Sequence, residues 1–241
     1  MTRRILIDCG NTRVKWAILE GTRWHARGDG DYVDWSALSA ELVVGDICYV
    51  ASVAAAAHER QLAALLANAG LTAVWLSSTA EFGGVTNTYR DPAQLGVDRW
   101  MALIAARQRT HGAALVVSAG TAMTVDALSP AGTFLGGLIV PGLAMMRQAL
   151  VRETARVNET RGRWVEFPQA TADAVYSGVI AALCGAIRQQ HARLAASAGT
   201  PPLCLLTGGD AETLLPHLPL PAEHVPALVL EGIARVAAEE S

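Results

Sequence analysis

The sequence predicts an α/β protein built from two similar halves, and three observations carry that prediction. Strand-like apolar runs alternate with segments of helical period along the whole chain. An apolar run ending in a glycine turn occurs twice, as Ile5-Leu6-Ile7-Asp8-Cys9-Gly10-Asn11-Thr12 and, roughly 110 residues later, as Leu115-Val116-Val117-Ser118-Ala119-Gly120-Thr121-Ala122. The 241 residues have room for two cores. A repeat this long is no solenoid unit and describes a duplicated domain.

Taken in order, the first apolar run reads as a strand that turns and continues through an extended stretch, Val14 to Leu19, to the glycine turn Glu20-Gly21. Ile47 to Val53 reads as a strand, His58 to Ala69 as a helix, Ala73 to Leu76 as a strand and Gln94 to Arg109 as a long apolar-periodic helix. Thr110-His111-Gly112 separates the halves, 1–112 and 113–241. The second half restarts with its own hairpin, Met123 to Leu128 leading to Ser129-Pro130-Ala131-Gly132. Gly136 to Gly142 has so little side-chain bulk that it reads as a loop suited to close approach. Leu143 to Val151 and Thr171 to Ala198 read as helices, Leu203 to Thr207 as a buried strand and Val225 to Glu239 as a closing helix.

Composition narrows the class. Hydrophobic content is 51%, charged content 17% and mean hydropathy +0.28, yet the longest apolar runs, such as Leu62 to Ala67, fall far short of the ~18 residues of a membrane span. Arg3 and Arg4 before an apolar stretch imitate a signal peptide, but Asp8, Asn11, Arg13 and Lys15 interrupt it, so a cytoplasmic protein without a membrane segment is expected. Cys9, Cys48, Cys184 and Cys204 stand singly in apolar surroundings and read as small core residues. A net charge of -3 gives no general pull toward nucleic acid, and Arg147, Arg152, Arg156, Arg161 and Arg163 read as a solvated helix face.

Chemistry concentrates at the strand ends. Asp8 places a carboxylate at a strand tip, Gly10 lets backbone approach a ligand, and Asn11 and Thr12 add amides and a hydroxyl around the bend, an arrangement that suits phosphate or an ordinary hairpin. Lys15, the one lysine among 19 basic residues, adds a compact point charge where every other basic position is arginine. Gly120-Thr121 repeats the turn, and two such turns facing across a cleft would clamp a polyphosphate. Thr207-Gly208-Gly209-Asp210 is a third glycine turn, placed to lie flat against a base or ribose. Neither a P-loop nor a Rossmann fingerprint occurs. Asp98 falls in the first turn of the long helix, where it can cap the helix or, ionised, accept a proton from an alcohol, and Arg99 can grip a carboxylate in bidentate fashion.

As a set, these motifs resemble the bacterial type III pantothenate kinases, the Bvg accessory factor family. The matching elements are Asp8-Cys9-Gly10-Asn11-Thr12 with Lys15; Tyr89 with Leu95-Gly96-Val97-Asp98-Arg99; Gly120-Thr121-Ala122 with Thr124 and Asp126; Gly136-Gly137 through Pro141-Gly142; Thr171 with Gly178; and Thr207-Gly208-Gly209. The resemblance implies the two-domain actin-like fold of the acetate and sugar kinase, heat-shock and actin superfamily, with a cleft between duplicated halves. It implies ATP-dependent phosphorylation of the primary hydroxyl of pantothenate to 4'-phosphopantothenate, the first step of coenzyme A synthesis. ATP would be held by Asp8, Gly10, Asn11, Thr12, Lys15, Gly120, Thr121, Gly208 and Gly209, and Mg2+ by Asp8 and Asp126. Asp98 would be the general base. Tyr89, Gly96, Val97, Asp98, Arg99 and Thr171 would form the pantothenate site of a homodimer. Where many members carry an aspartate that binds potassium or ammonium, this chain has Ser118, so monovalent activation is expected to be weak. A regulatory protein that keeps the fold and acts through a partner, or another kinase or ATPase of the superfamily, are the competing expectations.

Overall fold

The computed structural model describes residues 3–71, 73–154, 157 and 161–239. It divides into two compact units, 1–109 with 227–241 and 110–226.

In the first unit β1 (Arg3–Cys9), β2 (Val14–Glu20) and β3 (Arg23–Gly30) form an antiparallel meander. A short helix α1 (Ser36–Ser39) leads to β4 (Ile47–Ser52), and α2 (Ala56–Asn68) leads to β5 (Ala73–Trp75). β4 lies parallel to β1 and β5 parallel to β4, giving the order β3-β2-β1-β4-β5. Ile5, Ile7, Val50, Leu62 and Leu66 are buried together in the core of this unit. A small hairpin follows, β6 (Glu81–Phe82) and β7 (Val85–Asn87), and then α3 (Val97–Arg109). The helix starts three residues later than its periodicity suggests, because a 3₁₀ turn at Pro92–Gln94 occupies the approach. Residues 99 to 106 of α3 are all buried, so it behaves as an interior helix.

The second unit repeats the plan. β8 (Ala114–Ala119), β9 (Ala122–Leu128) and β10 (Thr133–Pro141) form the meander. Helices α4 (Leu143–Glu153) and α5 (Thr171–Ala198) precede β11 (Leu203–Thr207), and α6 (Ala211–Leu214) precedes β12 (Glu223–His224). With β11 parallel to β8 and β12 parallel to β11, the strands run β12-β11-β8-β9-β10. Read from the meander end, this is the order and the set of strand directions of the first unit. Leu115, Val117, Val125, Ile180, Leu183 and Leu206 are buried together in its core.

Further expectations are corrected. Gly136 to Pro141 is no loop: it belongs to β10 and pairs with β9 as far as Pro141, with an irregularity between Phe134 and Gly136, where Gly136 adopts φ +114. Its strand character comes from that ladder and not from its side chains. The closing helix, α7 (Leu228–Glu239), starts at Leu228 rather than Val225, since Pro226 holds the preceding residue out of the helical region. Assigned by sequence to the second half, α7 packs against α3 of the first unit. The contact is made at Gly232, where a β-carbon would stand 2.0 Å from the Met101 carbonyl oxygen. Among the expected basic face, Arg147 is half-buried, Arg152, Arg161 and Arg163 are exposed, and Arg156 lies outside the described residues. The four cysteines are buried and unpaired, as expected of core residues.

Candidate active site

The first unit collects carboxylates and cations at the C-terminal end of β1. The β1–β2 register sets Lys15 directly opposite Asp8, which puts their side chains on one face of the sheet within interaction distance. Beyond them the chain turns tightly, Gly10 N–H donating to the Arg13 carbonyl at 3.0 Å, while Asn11, Thr12 and Arg13 are exposed. Arg13 pairs with Asp29 at the surface, a contact worth little to stability.

Asp98 reaches the same neighbourhood from the first turn of α3. Its Oδ1 accepts the Arg99 N–H at 2.8 Å, so it does cap the helix. Burial raises its carboxyl above the usual range, opposed by the Arg99 N–H and guanidinium. Asp8 is pushed up to about 7, first by burial and then by Asp98, with Lys15 pulling the other way. The imbalance falls on Asp8, where burial and the second carboxylate together outweigh Lys15, while Arg99 attends to Asp98. Gly96 makes room for the arrangement: a β-carbon there would lie 2.7 Å from Asp98 Oδ1.

Arg99 and Tyr89 form the adjoining wall. The Arg99 guanidinium donates to the Tyr89 hydroxyl at 3.1 Å and lies 5.9 Å from its ring centroid, and Arg99 is only 6% exposed. Val97, the first residue of α3, is buried. Sequence reasoning missed the residue that holds this wall in shape. Asn87 is buried and donates to the carbonyls of Thr79 (3.2 Å) and Pro92 (3.1 Å), while its own oxygen accepts the Tyr89 N–H at 3.1 Å. Ser78 adds a bond to the Leu95 carbonyl at 2.7 Å. A buried asparagine leaves no periodicity to find it by.

In the second unit three glycine turns converge. Gly142 N–H donates to the Thr121 carbonyl at 2.9 Å, and a β-carbon on Gly142 would stand 2.0 Å from the Gly120 oxygen. Gly208, at φ +95, approaches so closely that a β-carbon would lie 2.2 Å from the Ala119 oxygen, and Asp210 N–H donates to that oxygen at 3.0 Å. Gly120, Thr121, Gly208 and Gly209 are thus brought together, with open space beside Gly209. Asp210, which ends the third glycine turn, accepts the Leu143 N–H at the start of α4 and is raised by burial. Ser118 pairs with Thr124, whose hydroxyl is buried without a hydrogen bond. Asp126 lies two positions further along β9, opposite Val116 and 1% exposed. Thr171 stands exposed at the first residue of α5. No cluster of three or more His, Cys, Asp or Glu side chains suited to a metal occurs among the described residues.

A family model described as type III pantothenate kinase matches residues 4–193. A protein of Thiobacillus denitrificans named type III pantothenate kinase is 62% identical over 97% of this chain and 96% of its own length. Among solved structures, a conserved putative Baf family transcriptional activator from Campylobacter jejuni superposes with a TM-score of 0.60 at 22% identity, covering 98% of both chains. A putative 2-dehydro-3-deoxygalactonokinase from Sinorhizobium meliloti also reaches 0.60, at 16% identity over 98% of this chain and 99% of that one. At such identities the likeness concerns the fold alone, a two-domain actin-like fold in keeping with the repeated strand order of the two units.

Proposed function

The chain belongs to the type III pantothenate kinase family and is a kinase that phosphorylates pantothenate to 4'-phosphopantothenate in coenzyme A biosynthesis, and we propose that Asp98 is its general base. The observation that carries this assignment is the pairing of Asp98 with Asp8 in one unit, next to Lys15 and Arg99. Phosphoryl transfer asks a protein mainly for positioning and charge compensation. A carboxylate raised by burial is a stronger base than a free one, and its protonated state is reached closer to working pH. Asp98 accepts the proton of the pantothenate hydroxyl as that oxygen bonds to the γ-phosphorus. The bond from that phosphorus to the bridging oxygen breaks, and ADP leaves.

Arg99 offers the substrate carboxylate a bidentate partner, with Tyr89, Gly96, Val97 and Thr171 completing the acceptor site. The turn at Gly10, Asn11 and Thr12 with Lys15, and the cluster of Gly120, Thr121, Gly208 and Gly209, hold ATP. Lys15 offsets charge on the phosphoryl group in flight.

Kinases of this kind use ATP with a divalent cation, which we assign as Mg2+. The fit is tested by Asp8: a buried carboxyl at about 7, crowded by a second carboxylate and with one lysine against it, lacks cationic charge that such an ion supplies. Asp8 would hold it, with Mg2+ keeping its remaining ligands from water and phosphate. Asp126 is the weaker candidate, since it is fully buried and already has a partner. The bound ion would neutralise phosphate charge. A homodimer and a cytoplasmic setting complete the proposal. Apolar residues exposed on the second unit support the first, and four unpaired cysteines support a reducing compartment.

The deciding experiment couples ADP release to a readout with and without pantothenate, in wild type and Asp98→Asn. Wild type is expected to release ADP only with pantothenate. The variant is expected to lose ~10²-fold or more in kcat while binding ATP as before. Turnover at the wild-type rate in Asp98→Asn removes that residue from the mechanism, and ADP release indifferent to pantothenate points to another acceptor.

A further inference from the structure

The phosphate turn of the first unit is held from behind by a residue that neither its motif nor its mechanism mentions. The Tyr32 hydroxyl donates to the Gly10 carbonyl. Tyr32 is 8% exposed, its ring lies flat on His58 with centroids 3.8 Å apart and planes 4° apart, and Trp35 packs against it at 5.7 Å. The residues behind the turn thus form a fixed stack.

Peptide geometry makes that anchor directional. The Gly10 carbonyl and the Asn11 N–H belong to one planar trans peptide, so they point in opposite directions. Holding the carbonyl inward turns the Asn11 N–H outward, on the side where Asn11 and Thr12 are exposed. The Gly10 N–H is already spent on Arg13, which leaves the Asn11 N–H as the next donor for an anion. We propose that Tyr32 is a positioning residue for ATP: by holding the Gly10 carbonyl it presents the Asn11 amide to the nucleotide's phosphates, and the stacked His58 keeps Tyr32 in place. This rests on the reading of residues 8 to 12 as a phosphate-binding turn.

Tyr32→Phe removes the hydroxyl and keeps the ring. It is expected to raise the KM for ATP ~5- to 10-fold, the scale of one lost hydrogen bond. The KM for pantothenate should stay within about twofold and the thermal midpoint should be nearly unchanged, a split that loss of structure alone would not produce. An ATP KM within about twofold of wild type, or both KM values rising together, overturns the proposal. His58→Ala should move the ATP KM in the same direction, and adding it to Tyr32→Phe should change little more. Fully additive effects overturn the role of His58, and if His58→Ala does not fold, Tyr32→Phe alone decides the role of Tyr32. Lys15→Ala separates the two layers. If it leaves the ATP KM unchanged, the phosphate-turn reading falls and the proposal with it; if it raises the ATP KM while Tyr32→Phe does not, only the proposal falls.

Discussion

Gly96 leaves its neighbour Asp98 a space that no other residue would. A β-carbon at Gly96 would meet Asp98 Oδ1 at 2.7 Å, with Val53 and Arg99 at ordinary contact distances beyond it, so Gly96→Ala is relieved by swinging the carboxylate away from the Arg99 N–H. Steady-state kinetics should show kcat reduced ~10-fold or more while thermal melting barely moves, because the damage is to aim and not to packing. Asp8 provides a test by pH. Its carboxyl stands at about 7 in the folded chain, against ~3.9 for an exposed aspartate. Between those values the folded state binds more protons than the unfolded one, so stability is greatest below the window and falls as pH rises through it. Melting curves without ligands should therefore drop in midpoint from pH 5 to pH 8, and Asp8→Asn should flatten the trend. An unchanged slope in that variant would show that Asp8 is not the group responsible. Asp8, Lys15 and Asp98 were all legible in the sequence, because a carboxylate at a strand tip, a solitary lysine and an acid opening a helix are local patterns. Asn87 and Tyr32 were not, since each acts through partners reached across the fold, at Thr79 and Pro92 and at Gly10.

The two meanders are the elements in which duplication becomes chemistry. Each places a glycine turn after its first strand, yet the residue opposite the second strand differs: Asp8 faces Lys15 in one, Ser118 faces Thr124 in the other. Two hydroxyls, one of them unpartnered, are poorer ligands for a cation than a carboxylate would be. Replacing sodium by potassium is expected to change activity by less than ~2-fold, and Ser118→Asp to introduce a stimulation; a steep potassium response of the wild type would refute this. The repeat itself was visible because apolar runs ending in Gly10 and Gly120 are alike in sequence. β3 and β10 escaped notice for opposite reasons. β3 alternates exposed and half-buried positions without apolar enrichment, and β10 owes its extension to a partner strand while its glycines speak for a loop. Helix α5 is legible to the residue, Thr171 to Ala198, because its length and period leave little else to choose.

For the whole molecule, the second unit leaves Leu135, Ile139, Met145, Leu150, Trp164 and Phe167 exposed, a collection that an isolated chain has reason to cover. Sedimentation at micromolar concentration should find a species of twice 25.3 kDa, and Trp164→Glu with Phe167→Glu should shift it toward the single chain. A monomer in the unaltered protein would refute the assembly. The return of α7 to the first unit has a consequence for biogenesis. Residues 110–226 form an uninterrupted unit, whereas the unit that carries Asp8 and Asp98 needs a helix translated after all of them. On the ribosome the later-made unit can therefore finish first, and the earlier one must wait, its interior helix α3 still uncovered, until α7 emerges.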